Sequence, residues 1–222
     1  WAHRLRAEGD HERAARLEQI AADALSSSED LPYANDIAVV TGMTPASIGG
    51  AVVGGLLAGG ATVIATSSSI SASRLDFAKE LYRTHAAGGA KLWLVPANLA
   101  SYRDVDALVE WIGTEQTKSV GADVKVTKEA LVPTLFYPFA APRVSGTLAD
   151  AGPVSENQMR LLLWSVERSI AGLCAIGSVT HADHRLHVVL PGSPNRGIFG
   201  GDGAYAEAKA SFDAIATRWA AE

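Results

Sequence analysis

The sequence predicts an α/β fold built on a doubly wound parallel sheet. From Asp36 onward, short apolar runs alternate with helical patterns, which is typical of a parallel sheet covered by helices on both faces. The turn after the first apolar run is rich in glycine and leads directly into a helix, as in Rossmann-like sheets that bind a ligand at the carboxyl ends of their strands. With 222 residues, of which 48% are hydrophobic, the chain can bury a full core.

The first part of the chain differs from the rest. Residues 4–25 carry apolar side chains among charges at a loose helical spacing, which predicts one accessory helix. The run Ser26 to Glu29, followed by Pro32, has the composition of a linker. We therefore divide the chain into residues 1–32, an N-terminal helix and linker, and residues 33–222, the main domain.

The main domain opens with two strand–helix units. Ile37 to Val40 predicts the first strand, and the helix from Ile48 to about Leu57 is closed by a pair of glycines. Ala61 to Thr66 predicts the second strand, and the next helix runs from about Arg74 to His85.

The following unit is less regular. Residues 91–97 predict the third strand, and Ser101 caps the helix after it. The segment Thr117 to Pro133 is long and unpatterned. Loops of this kind are often functional or belong to an assembly interface.

Two strands and two helices complete the pattern. Residues 135–141 predict the fourth strand, and Ser155 is expected to cap a long helix that reaches about Ile176. Residues 185–190 predict the fifth strand, and the final helix runs from about Gly203 to Trp219.

Composition and charge exclude several functional classes. The net charge is −5, and the sequence has no cluster of basic residues that could bind along the phosphate backbone of a nucleic acid. We therefore expect no nucleic-acid partner. No run reaches the roughly 18 apolar residues of a membrane span, and the charged N-terminus is unlike a signal peptide. Cys174, the only cysteine, is interpreted as a structural thiol in a reducing, cytoplasmic compartment. His181 and His184 lie in a polar loop without a nearby cysteine, so no metal site is expected.

The glycine-rich turn is a candidate phosphate-binding site. It contains Thr41, Gly42, Ser47, Ile48 and Gly49. A turn between a first strand and a first helix directs backbone N–H groups and the positive helix end at a ligand, which suits a pyrophosphate. The same pattern also occurs as an ordinary connection in doubly wound folds.

Polar residues follow the second and third strands. Ser67 and Ser68 stand where a carboxylate would bind the ribose of NAD, and the nearest cation is Arg74. The missing carboxylate argues against NAD more than the serines argue for NADP, and a solvated loop is the alternative. Asn98 follows the third strand, where it could meet an adenine edge or simply form a turn.

Three side chains near the C-terminus suit proton transfer. Ser193 lies just past the fifth strand, and Tyr205 and Lys209 are one turn apart on the last helix. A hydroxyl, a phenol and an amine would then converge beside the carboxyl end of a strand. Taken alone, the Tyr/Lys pair is also compatible with an ordinary surface pair on a helix.

The combination TG-x4-SIG, Ser193 and Tyr205-AEA-Lys209 resembles the short-chain dehydrogenase/reductase superfamily. More specifically, SIGGAVVGGLLAGGATVIAT, LVPANLASYRDVDALVEWIGTEQT, PFAAPRVSGTLADAG and RLHVVLPGSPNRGIFGGDGAYAEAK are similar to the ketoreductase domain of microbial type I fatty acid synthases, the actinobacterial kind in particular. The resemblance runs from about Ile37 to Trp219.

This resemblance implies NADPH-dependent reduction of a 3-oxoacyl thioester, carried by an acyl carrier protein, to the 3-hydroxyacyl thioester. Tyr205 would be the general acid that protonates the carbonyl oxygen, and Ser193 would hydrogen-bond that oxygen. Lys209 would contact the nicotinamide ribose and stabilise the phenolate by its charge. Ala140, in the run that replaces the Asn-Asn-Ala-Gly of most relatives, would border the cofactor. The partners implied are the other domains of an oligomeric synthase.

The sequence also departs from the superfamily. Ala46 stands where the common turn has glycine, and the Asn of a four-residue catalytic set is absent near Val166. Full reductases continue to two more strands and a substrate loop, so we expect residues 33–222 to be a C-terminally incomplete NADP-binding ketoreductase domain. The lack of an initiator Met likewise indicates a piece of a longer protein. The alternatives are a non-catalytic nucleotide-binding or structural fragment and a reductase of free small ketones.

Overall fold

A computed structural model describes residues 2–25, 31–121, 123–178 and 185–221. The central feature is a five-stranded sheet, whose strands are β1 (Ile37–Thr41), β2 (Thr62–Ser67), β3 (Lys91–Pro96), β6 (Leu135–Pro138) and β7 (His187–Val188). These strands lie side by side in the order β3-β2-β1-β6-β7. All neighbouring pairs run parallel. The predicted α/β, Rossmann-like fold class is confirmed.

Helices cover both faces of the sheet and enclose two hydrophobic cores. In β1, Val39 belongs to one core, whereas Ala38 and Val40 belong to the other, because successive strand residues point to opposite faces. The Val39 core includes residues of α5 (Tyr102–Gly113), α7 (Ser165–Ser178) and α8 (Tyr205–Ala221). The opposite core includes residues of α3 (Ile48–Ala58) and α4 (Ala72–His85).

The N-terminal region contains two helices instead of the single one predicted. α1 (Ala2–Ala7) and α2 (His11–Leu25) are separated at Gly9, whose φ of 83° lies in the left-handed region that ends a helix. Arg16 of α2 contacts Glu80 of α4 at 3.4 Å, so α2 lies beside the main domain. The predicted linker at Ser26 to Glu29 and the histidines 181 and 184 lie outside the described residues.

The segment predicted to be an unpatterned loop contains a β-hairpin. β4 (Gln116–Val120) and β5 (Asp123–Lys128) pair in an antiparallel two-stranded sheet. Five of the six β5 residues are exposed, Val124 and Val126 included, so the valines that alternate with polar residues in β5 do not mark a buried face.

Three other predicted boundaries were wrong. α6 begins at Pro153 rather than after Ser155, because proline is accepted at the first helical position. α6 (Pro153–Met159) continues through a π-helical segment, Arg160–Trp164, into α7. The fifth strand is reduced to β7. The last helix begins at Tyr205, since Gly203 has a φ of 61°.

Lys128 anchors the hairpin to the end of α5. Its side chain is buried, with 4% exposed, and Nζ donates to the carbonyls of Ile112, Thr114 and Glu129 at 3.1, 2.7 and 2.8 Å. Nζ also lies 4.7 Å from the centre of the Trp111 ring. A cation is favourable at a helix C-terminus, although burial lowers the pKa of this ammonium.

Replacing Lys128 with Met is expected to lower the free energy of unfolding by about 2–3 kcal/mol, because buried carbonyls lose their donor. Lys125→Met is the matched control, since Lys125 is exposed on the same strand and should change stability by less than about 0.5 kcal/mol. Urea unfolding measures both. Equal effects of the two variants would contradict the anchoring role.

Candidate active site

A cleft of about 440 Å³ opens at the carboxyl ends of β1, β2, β3 and β6. The chain order of the sheet reverses between β1 and β6, which is where doubly wound sheets bind ligands. Most of the residues predicted to bind a cofactor line this cleft: Gly42, Ser47, Ser67, Ser68, Asn98 and Ala140.

The glycine-rich turn forms the narrow part of the cleft by close backbone packing. Gly42 has a φ of 78°, and a Cβ there would lie 2.7 Å from the Ala140 Cα. A Cβ at Gly49 would lie 2.7 Å from the Gly42 carbonyl oxygen. Thr41 Oγ1 accepts a hydrogen bond from the Ala140 N–H at 3.0 Å. Thr41 and Gly49 therefore support the turn by backbone packing without lining the cleft, whereas Gly42 and Ala140 line it.

Ala46, on the same turn, has a φ of 57° and is the only non-glycine residue with a positive φ in the described part of the chain. As noted in the sequence analysis, the common form of this turn has a glycine where this chain has Ala46. Alanine in the left-handed region costs about 1 kcal/mol relative to its usual conformations. The turn therefore keeps a glycine-like conformation without a glycine.

The N-terminus of α3 is suited to an anion. Ser47 Oγ accepts hydrogen bonds from the N–H groups of Gly50 and Thr44 at 3.0 and 3.1 Å. The N–H groups of Ile48 and Gly49 have no acceptor among the described residues, and the Ile48 side chain is 73% exposed. Free backbone donors at a helix N-terminus favour a phosphate group, so these residues fit a dinucleotide.

The end of β2 brings a cation that the predicted set of site residues did not include. Arg74 lines the cleft together with Ser67 and Ser68, and no acidic side chain in the described ranges pairs with it. Ser67 Oγ donates to the Ser69 carbonyl at 2.7 Å, while Ser68 is exposed. The signal available in the sequence was the position of Arg74 as the nearest cation after the second strand.

Asn98 lines the cleft but is also used in a turn. Its Oδ1 accepts from the Ala100 N–H at 3.1 Å, and its own N–H donates to Asp104 at 3.0 Å. Asn98 thus forms a turn through these two bonds, and its contact with an adenine edge stays a prediction.

Tyr205 and Lys209 are brought together at the start of α8. Lys209 is 4% exposed, with Nζ 5.5 Å from the centre of the Tyr205 ring and 4.6 Å from that of Phe212. Burial lowers the pKa of the Lys209 ammonium to about 8, because a charge loses water there. Nζ has no hydrogen-bond acceptor within the described residues. A buried, unpaired ammonium is a fit for a ligand hydroxyl.

Ser193 lies on the loop between β7 and α8 and is half-buried. Its Oγ accepts a hydrogen bond from the Asn195 N–H at 3.1 Å, which fixes the oxygen and leaves the hydroxyl proton free to donate. No hydrogen bond joins it to Tyr205 among the described contacts. Ser193, Tyr205 and Lys209 do not line the 440 Å³ cleft, so the structure pairs only two of the three residues directly.

The position of the missing Asn is occupied by apolar and small residues. Val166 is buried on α7, between the buried Ser165 and Ser169. Ser165 Oγ donates to the Leu161 carbonyl at 2.7 Å in the π-helical segment. A proton relay through a side-chain amide at this point is therefore not available.

Similar sequences belong to much longer proteins. No protein-family model matches the chain. The chain is 34% identical over 218 residues to fatty acid synthase subunit alpha of Candida parapsilosis, a match that covers 96% of this chain and 11% of that protein. The same subunit of Saccharomyces cerevisiae is 33% identical over 219 residues, with the same coverage of 96% and 11%. The chain thus spans about a tenth of the length of these relatives.

Solved structures identify the fold. A short-chain dehydrogenase/reductase from Serratia marcescens superposes with a TM-score of 0.64 over 84% of this chain and 67% of its own, at 19% identity. This chain has the short-chain dehydrogenase/reductase fold. An NADH-dependent reductase complexed with NAD gives a TM-score of 0.65 over 83% of this chain and 71% of its own, at 19% identity.

The described ranges contain neither a metal-binding cluster nor a membrane-spanning helix. Among these residues, no group of three or more His, Cys, Asp or Glu side chains could hold a metal ion. No helix in the same ranges has the length and apolar character needed to cross a membrane.

Proposed function

We propose that this chain is the NADPH-dependent ketoreductase module of a microbial type I fatty acid synthase, of the actinobacterial-like kind. Its reaction would reduce 3-oxoacyl groups on an acyl carrier protein to 3-hydroxyacyl groups. The observation that carries the proposal is the buried Lys209 beside Tyr205, with no acceptor among the described residues, at the sheet edge where the nucleotide-sized cleft opens. Similarity to synthase alpha subunits over 96% of the chain supports the substrate class.

The chemistry follows from the side chains at this edge. Gly42, Ser47 and the free N–H groups at the start of α3 would hold a nicotinamide dinucleotide, which would supply hydride to the carbonyl carbon of the substrate. Tyr205 would donate its phenolic proton to the carbonyl oxygen, and the free hydroxyl proton of Ser193 would bond to the same oxygen. Lys209 would hold a cofactor hydroxyl and stabilise the phenolate left on Tyr205. The phenolate then regains a proton from solvent.

Arg74 supports the choice of NADPH over NADH. A guanidinium next to Ser67 and Ser68 suits the 2′-phosphate that distinguishes the two cofactors. We expect Arg74→Ala to raise the KM for NADPH by about tenfold or more, because a charge-assisted hydrogen bond contributes about 1.5–3 kcal/mol. The KM for NADH should stay unchanged, and steady-state kinetics with both cofactors measure this.

Arg83→Ala is the matched control, since Arg83 is exposed on the same helix, α4, and does not line the cleft. An equal rise in the KM for both cofactors in Arg74→Ala would contradict a phosphate-binding role.

The proposed context is a cytoplasmic, oligomeric multienzyme. Its other domains and the acyl carrier protein are the proposed partners, and the division into residues 1–32 and 33–222 remains part of the proposal. The half-buried Cys174, whose pKa is raised by burial, fits an unreactive thiol in a reducing compartment.

Substrate assays test the function directly. NADPH oxidation is followed with an acetoacetyl thioester of acyl carrier protein and with a free small ketone. Faster reduction of the thioester supports the proposal. Faster reduction of the free ketone supports a small-ketone reductase, and cofactor binding without any turnover supports a non-catalytic fragment.

A further inference from the structure

Gln158 is a buried polar residue to which the proposed chemistry gives no role. It lies near the end of α6 and is only 1% exposed. Its Oε1 accepts a hydrogen bond from the Ala204 N–H at 2.7 Å, and its Nε2 donates to the Ser145 carbonyl at 3.2 Å. A buried amide must be satisfied to be tolerated, and here each end of the amide is bonded to a different loop.

The bond to Ala204 caps the helix that carries the proposed catalytic pair. Ala204 immediately precedes Tyr205, the first residue of α8. The first N–H groups of a helix have no partner within that helix. The side chain of Gln158, which lies on α6, therefore caps the N-terminus of α8. It fixes the backbone of Ala204, the residue next to Tyr205.

The two loops are also joined to each other. The Gly203 N–H donates to the Gly146 carbonyl at 2.9 Å. Gly203 has a φ of 61°, and a Cβ there would overlap Gln158 Oε1 and lie 2.7 Å from the Ser145 carbonyl oxygen. This close approach explains why a glycine occupies position 203.

A groove of about 640 Å³ lies between these loops. Gly146, Thr147 and Leu148 line one side, and Phe199 and Gly203 line the other. Ser145 and Ala204, to which Gln158 bonds, directly adjoin Gly146 and Gly203 in the chain, so Gln158 ties the two sides of the groove together as well as the start of α8.

We propose that Gln158 is a positioning residue, which holds the start of α8, and with it Tyr205, against the Ser145–Gly146 loop. The catalytic consequence rests on the proposed function. The clamp itself is a property of the fold, and it can be measured without turnover.

Gln158→Glu gives a test that depends on pH, because a protonated carboxyl group can reproduce both hydrogen bonds of the amide and an ionised one cannot. An ionised carboxylate still accepts from Ala204 but repels the Ser145 carbonyl. Burial raises the pKa of such a carboxyl. The ionisable groups on the surrounding elements are of both signs: Asp150, Glu156, Arg160, Asp202, Glu207 and Lys209.

Amide hydrogen exchange at Ala204 is the first measurement. Relative to wild type at the same pH, we expect exchange in Gln158→Glu to be unchanged at about pH 5 and faster by about tenfold at about pH 8, as the clamp is lost on ionisation. Asn157→Asp is the control, since it makes the same change on the exposed face of α6. It should match wild type at both pH values.

The second measurement is the turnover of the same proteins with the thioester substrate. In Gln158→Glu, kcat relative to wild type should fall as pH rises, while the KM for NADPH stays unchanged. Gln158→Leu should reduce kcat at every pH. Exchange at Ala204 that is equal in Gln158→Glu and wild type at both pH values would overturn the clamp. If exchange at Ala204 changes with pH in Gln158→Glu as expected but kcat does not change, Gln158 has no positioning role in turnover. Wild-type protein without turnover would reject the proposed function, and the exchange result would still decide the clamp.

Discussion

Tyr205→Phe is expected to reduce turnover by about a thousandfold, because the substitution removes only the proton that the carbonyl oxygen must receive. The phenyl ring fills the same space, so α8 and the Lys209 environment should be unchanged. NADPH binding should therefore be retained. Stopped-flow measurement of NADPH oxidation gives the loss of rate, and fluorescence titration gives the cofactor affinity.

Tyr102→Phe provides the matched control for the loss of a phenol. Tyr102 begins α5, stacks near Arg160 and Arg168, and does not line the cleft. Its substitution should therefore leave turnover within about twofold, as for other substitutions outside a site. If Tyr205→Phe retains more than about a tenth of the wild-type rate, general acid catalysis by this residue is wrong.

Lys209→Met is expected to have opposite effects on activity and stability. Turnover should fall by about a hundredfold or more, since the phenolate and the cofactor ribose lose their cation. The free energy of unfolding without cofactor at neutral pH should rise by about 1–3 kcal/mol, because methionine fills the buried site without desolvating a charge. Thermal unfolding of wild type and variant measures the difference. Lys79→Met, on the exposed face of α4, is the control.

The pH dependence gives this prediction a definite sign. Lys209 has a pKa of about 8 in the folded protein, against 10.5 for the unperturbed group. Between these values the unfolded chain binds more protons than the folded chain, so the stability of wild type rises with pH. The advantage of Lys209→Met should thus be full below about pH 8 and vanish towards pH 10.5. A difference that does not change across this window would mean that burial of the ammonium is not its cause.

Cofactor binding should reverse the order. NADPH gives the wild-type ammonium an acceptor that methionine cannot use, so saturating NADPH should stabilise wild type more than Lys209→Met. Equal stabilisation of the two proteins would place Lys209 outside the cofactor site.

Features with a strong local pattern could be predicted from the sequence. β1 and β2 are buried on both faces and appear as uninterrupted apolar runs, and the turn after β1 is marked by its glycines. The cleft residues Gly42, Ser47 and Ser67 follow directly from these strand ends. Lys209 was placed beside Tyr205 by the helical period alone. The roles of these residues remain predictions.

Features that depend on distant contacts could not be predicted. The hairpin β4–β5 was missed because it has almost no buried residues. Its strand signal is the alternation of Val124 and Val126 with polar residues, and both valines are exposed rather than packed on a core. Gln158 is one polar residue in a helix, and its importance comes from Ser145 and Ala204, which only the folded chain brings near. Gly9 ended a helix whose apolar spacing continued beyond it.

The left-handed conformation of Ala46 has a consequence for the energetics of the glycine-rich turn. Alanine prefers a negative φ, so the φ of 57° at Ala46 stores local strain of about 1 kcal/mol that a glycine would not carry. The turn is therefore maintained by its contacts with the rest of the fold, such as the close approach of Gly42 to Ala140, rather than by its own backbone preference. A rearrangement of the turn that returned Ala46 to a negative φ would release this strain.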